Sequence, residues 1–109
     1  MSRRMEEALS KGASCWKRAM DTAPEFVEGY LLHAENLLLC HEVVRGEQFT
    51  KNARDHGLVL PERLHHNTWV YGPRFLEQVG WVTKIGKVIP LEMHNHMPVV
   101  TLWRSNLTF

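Results

Sequence analysis

The chain has 109 residues, of which 44% are hydrophobic and 23% charged, with a formal net charge of +1. That length suits one domain, and that apolar share can fill a core, which excludes wholesale disorder. The near-neutral balance excludes a strongly basic nucleic-acid coat protein and counts weakly against DNA binding by bulk charge.

Residues 2–20 read as helical, with Met5, Ala8, Leu9, Trp16 and Met20 as apolar positions and Gly12 and Ser14 weakening the middle. This segment is either an additional N-terminal helix or an arm that orders on binding, and it is set apart as residues 1–22 from a main domain over 23–109. Trp16 is a candidate docking anchor. Thr22, Pro24 and Glu25 then mark a helix start by capping, fixed φ and early negative charge. From residue 24 to about 43, Phe26, Tyr30, Leu31, Ala34, Leu37, Leu38 and His41 recur at spacings of three and four, the strongest helical pattern in the chain. Arg45-Gly46-Glu47 reads as a turn. Thr50 can cap a short helix over 51–56 that Gly57 ends.

Leu58-Val59-Leu60-Pro61 is a short extended connection, because Pro61 disfavours helix at Leu60. The next helical region, over 61–79, carries Gly72-Pro73 in its middle. Proline removes one backbone bond there, so the region divides into a lead-in over 65–70 and a helix that begins at Pro73 and closes at Gly80. Residues 81–85 then alternate as a strand, with a turn at Gly86-Lys87. The partner strand is either 88–91 or 99–103. Val99-Val100-Thr101-Leu102-Trp103 is richer in β-branched and aromatic residues, so antiparallel pairing of 81–85 with 99–103 is expected, leaving 86–98 as a long wing. Trp69, Trp81 and Trp103 are assigned to the core.

Charge is unevenly spread. Residues 1–18 hold Arg3, Arg4, Lys11, Lys17 and Arg18 against Glu6 and Glu7; residues 19–42 hold five acids and no Lys or Arg. The acidic helix should face away from phosphate. No apolar run approaches the ~20 residues that span a bilayer, so no membrane partner is expected. Arg3 and Arg4 are not followed by the apolar stretch of a signal peptide, so the expected location is intracellular. Cys15 and Cys40 make neither a disulfide framework nor a zinc knuckle, and free thiols are expected, Cys40 on a buried helix face.

Phe49-Thr50, Pro61, Asn67-Thr68-Trp69, Gly80-Trp81-Val82, Gly86 and Val100-Thr101-Leu102-Trp103-Arg104-Ser105, in that order over residues 42–105, resemble the motif order of small winged-helix proteins of tailed bacteriophages and prophages. The chain departs from that group in placing Val70 and Tyr71 between Trp69 and the following Gly72. The resemblance implies an α+β winged helix-turn-helix with a C-terminal β-hairpin wing. It further implies a DNA-associated phage protein of replication or early gene regulation, in the host bacterial cytoplasm.

Candidate DNA contacts are Lys51 and Arg54 in the first short helix, Arg63, His65, His66, Asn67 and Arg74 around the second, and Lys84 and Lys87 on the wing. Arginine matches guanine and asparagine adenine in a bidentate manner, and wing lysines suit phosphate. His94-x-His96 lacks third and fourth ligands at metal-site spacing, and the chain shows no Gly-rich phosphate loop or acid cluster. The expectation is a non-catalytic protein without cofactor or metal. Its expected partner is double-stranded DNA, and homodimerisation is a route to added affinity. The alternative is a protein-interaction winged helix that binds a phage or host replication or transcription protein.

Overall fold

A computed structural model describes residues 2–12, 14–88 and 100–107, and it is an α+β structure of five helices and one three-stranded antiparallel sheet. Its centre is α3 (Pro24–Cys40), which starts with proline in its first turn and Glu25 at its positive end. Phe26, Val27, Tyr30, Leu31, Ala34 and Leu38 line its buried face, the three-and-four spacing that put it first among the expected helices.

The N-terminal segment is broken where Gly12 weakens it. α1 (Arg3–Lys11) ends there, with Gly12 at φ 63°, and a short 3-10 turn (Ser14–Trp16) leads into α2 (Lys17–Thr22). Met5, Ala8, Trp16 and Ala19 join the same hydrophobic core as α3. Ser2 caps α1 by accepting from the Met5 N–H at 3.2 Å, and its hydroxyl donates to the buried Glu35 carboxylate on α3 at 2.8 Å. Trp16 is 2% exposed, its ring 4.7 Å from Tyr30, 5.0 Å from Phe75 and 5.7 Å from Phe26, and its indole N–H donates to the Thr68 carbonyl at 3.0 Å. It is therefore a core residue and not an exposed anchor for a partner.

Beyond α3 the structure corrects the expected elements. The helix stops at Cys40, and Val43–Arg45 forms strand β1, not the helix end and turn read from the sequence. A β-branched pair carries β1, and its partner lies some sixty residues away, at Arg104, Trp103 and Leu102. Helical periodicity carries no information about such a partner. α4 (Gly46–Asp55) begins directly after β1, well before Thr50. The Gln48 side chain accepts from the Arg45 N–H at 2.7 Å, so the start is set by glutamine at the third helical position. Cys40 is exposed at the end of α3, which corrects its expected burial.

Residues 57–65 are non-helical. A 3-10 turn (His66–Trp69) and α5 (Gly72–Gln78) follow, divided at Gly72-Pro73 as the proline required. β2 (Val82–Val88) pairs antiparallel with β3 (Val100–Ser105), from Val82 opposite Ser105 to Val88 opposite Val100, and the sheet order is β1-β3-β2. Gly86 and Lys87 thus lie within a strand rather than in a turn. Residues 89–99, including His94, His96 and the central part of the expected wing, lie outside the described residues.

Ser105 locks the sheet to α3. It is fully buried, its hydroxyl donates to the Leu38 carbonyl at 2.8 Å, and its N–H donates to the Glu42 carbonyl at 2.7 Å. Leu38 is in the last turn of α3, where backbone carbonyls have no helical partner. Ser105→Ala leaves that carbonyl buried and unpaired, so a loss of about 1–3 kcal/mol is expected by denaturant titration; an unchanged unfolding midpoint would refute this role.

Candidate nucleic-acid interface

The residues proposed as DNA contacts divide by what already holds them. On α4, the Lys51 ammonium lies 3.2 Å from Asp55 one turn on, while Arg54 is exposed and makes no ion pair among the described residues. In the connection that follows, the Arg63 Nε–H donates to the Thr22 carbonyl at 3.1 Å and its guanidinium pairs with Glu25. Arg63 therefore staples the connection to the start of α3. An exposed pair of this kind contributes at most about 1 kcal/mol, but it takes up two of the five guanidinium donors and turns the fork toward Glu25.

His65 acts locally. Its Nδ1 accepts from the Asn67 N–H at 3.1 Å and so caps the 3-10 turn, and the His65 and His66 rings lie 4.1 Å apart on the exposed side. Acceptance at Nδ1 places a hydrogen, when the ring is neutral, on the outward Nε2. Val70 and Tyr71, the two residues that separate Trp69 from Gly72, are 72% and 43% exposed.

α5 shows solvent only a narrow strip. Gly72, Pro73, Phe75 and Leu76 are buried, while Arg74, Glu77 and Gln78 are exposed. At 1.5 Å per residue the helix is about 10 Å long, so it can present one or two side chains to a groove. The Cys15 thiol donates to Gln78 Oε1 at 3.2 Å. Burial raises the Cys15 pKa, partly opposed by its own backbone hydrogen bond and by the positive charge of Arg74 nearby.

The lysines of β2 are brought together by an irregularity. Lys84 stands opposite Trp103 and Lys87 opposite Thr101, with a register shift between Lys84 and Gly86. Side chains three apart on a regular strand point to opposite faces; the additional residue here returns both lysines to the face of Trp103. The same face receives α4, because a side-chain carbon on Gly46 would lie 3.4 Å from the Trp103 indole nitrogen. Arg104, exposed and opposite Thr83, lies on the other face.

Lys51 and Arg63 are thus committed to carboxylates, whereas Arg54, Arg74, Lys84 and Lys87 make no ion pair among the described residues. Sequence reading omitted Lys11 and Lys17, although their place in a basic N-terminal run was visible. Neither forms an ion pair among the described residues, and the Lys11 ammonium donates to the Val79 carbonyl at the end of α5 at 3.5 Å. Among the described residues no group of three or more His, Cys, Asp or Glu could hold a metal ion. No helix among them is long and apolar enough to cross a membrane. Compared with protein families, curated proteins and solved structures, the chain matches none of them.

Proposed function

We propose that this chain is a winged helix-turn-helix protein that binds double-stranded DNA without catalysing a reaction. The observation that carries the reading is topological. From α3 to β3 the elements run helix, strand, helix, helix, strand, strand, with the last strand central in a β1-β3-β2 sheet. That order supports a helix-turn-helix in α4 and α5 with the β2–β3 pair as the base of a wing. The unpaired cations support it further: Arg54 and Arg74 lie on the two helices, and Lys84 and Lys87 share the sheet face toward α4.

In this reading Arg74, with Asn67 and the His65 and His66 rings ahead of it, approaches the groove. Lys84, Lys87 and Arg54 contact phosphate, and Lys51 and Arg63 serve mainly to hold the scaffold. A near-neutral monomer binds weakly, and a homodimer on two half-sites would supply the remaining affinity. Action in phage DNA replication or early gene regulation, in a bacterial host cytoplasm, rests on the resemblance of residues 42–105. The second reading, a module that binds a phage or host replication or transcription protein, is favoured by the exposed Val70 and Tyr71 beside α5.

Titration of a labelled duplex at about 50 and about 200 mM salt tests the proposal. Three phosphate contacts at about 0.9 each give a log–log slope of roughly −3, a loss of roughly fortyfold over that range. Arg74→Ala and the pair Lys84→Ala, Lys87→Ala should each weaken binding. Absence of duplex binding at the lower salt overturns the DNA reading and leaves the protein-interaction reading standing.

A further inference from the structure

The corner between α1 and α2 is built onto α5 at three points. Lys11 donates to the Val79 carbonyl at 3.5 Å, the Cys15 thiol donates to Gln78 Oε1 at 3.2 Å, and the Trp16 ring lies 5.0 Å from Phe75. Phe75, Gln78 and Val79 follow one another at helical spacing, so the corner covers one side of α5 along its length and borders the strip that exposes Arg74. The left-handed Gly12 makes the bend; a side-chain carbon there would meet nothing within 4 Å among the described residues, so the glycine serves the backbone turn and not a tight space. The bend brings Lys11 and Lys17 to one open groove, shared with Ser14, Met20 and Asp21.

We propose that this corner is a second phosphate-contacting surface, in which Lys11 and Lys17 continue the DNA interface of α5 along the nucleic-acid backbone. This rests on the DNA-binding reading above. Lysine carries three donors, so the bond to Val79 leaves two on Lys11 for an anion. Lys17 makes no ion pair among the described residues, and Asp21 is the one carboxylate in the groove lining. Arg74, whose charge reaches Cys15, adds a third cation on the same side, against Glu77 on α5. The contact carries no sequence information, so it lengthens the footprint without altering base preference.

The test uses the full chain, a labelled duplex of arbitrary sequence, and salt titrations of the wild type, Lys17→Gln, the pair Lys11→Gln, Lys17→Gln, and Arg74→Gln. Each lost phosphate contact should reduce the salt slope by about 0.9. Lys17→Gln should therefore flatten it by about 1 and the double variant by about 2, with weakening that is uniform across duplex sequences. Lys17→Gln removes no hydrogen bond among the described residues, so its result does not depend on the packing of Lys11. If the wild type and Arg74→Gln behave as the DNA reading requires while both lysine variants keep the wild-type slope, this inference is overturned and the reading stands. If the wild type binds no duplex, both are overturned.

Discussion

Trp16→Ala is expected to lower the unfolding free energy by about 4 kcal/mol, within the range for deleting a fully buried large aromatic. The side chain packs against Phe26, Tyr30 and Phe75 and donates a hydrogen bond to the Thr68 carbonyl, so its loss opens a cavity between α3 and α5 and leaves that carbonyl with the Tyr71 N–H at 3.3 Å alone. For a domain of this size, that loss lowers the thermal midpoint by roughly 15–30 °C. The same substitution releases the α1–α2 corner from α5, so alkylation of Cys15, which leans on Gln78, should accelerate relative to the already exposed Cys40. A destabilisation below about 1 kcal/mol, with unchanged Cys15 reactivity, would show that the N-terminal segment is not part of the core.

Gly72→Ala should be almost as damaging although it adds only one carbon. That carbon would lie 2.3 Å from the Tyr30 hydroxyl and 2.5 Å from the ring carbon bearing it. Tyr30 is fully buried, its hydroxyl has no hydrogen-bond partner among the described residues, and burial raises its pKa far above the ordinary phenol value. The ring cannot retreat into water, so α5 must shift from α3, at a cost of about 3 kcal/mol. Tyr30→Phe alone removes a buried unpaired hydroxyl and should be neutral or stabilising by up to about 1 kcal/mol. Combined with Gly72→Ala it should restore only part of the loss, since the ring carbon at 2.5 Å remains. Full rescue in denaturant titrations of the double variant would contradict the crowding described. Gly72 is thus held by the approach of a ring from another helix.

What the sequence disclosed and what it hid follow from the range of each interaction. The face of α3, the division at Gly72-Pro73 and the pairing of the 81–85 region with the 99–103 region were all legible. Each is marked within a few residues, by spacing, by a missing N–H or by β-branched runs. β1 was not legible, because three residues become a strand only through β3, some sixty residues on. The start of α4 was missed with it, since Thr50 offered a better local cap than Arg45 and Gln48. In the candidate interface, residue type marked Arg63 as a DNA contact, but type cannot reveal that Glu25 and the Thr22 carbonyl hold it. The bulge that aligns Lys84 with Lys87 is likewise a property of register, and no spacing rule reads it. Lys11 and Lys17 were visible as charges, yet only the bend at Gly12 brings them to one groove, with Lys11 against the end of α5.

The β1-β3-β2 order also has a consequence for how the chain acquires its shape. β3 follows the other two strands in the chain, and it stands between them. Until β3 is present, β1 and β2 have no partner in the sheet, and the Leu38 carbonyl lacks its contact from Ser105. Helices α1 to α3 can gather early around Trp16, Phe26 and Tyr30, through contacts of modest sequence separation, and Trp69 and Phe75 join them from some forty to sixty residues on. β2 lies close to β3 in sequence, but β1 must wait for a closure across some sixty residues, and such closures are the slow steps of folding. During synthesis the nascent protein therefore passes through a stage with a helical core and two bare strand edges, the form most exposed to mispairing with other chains.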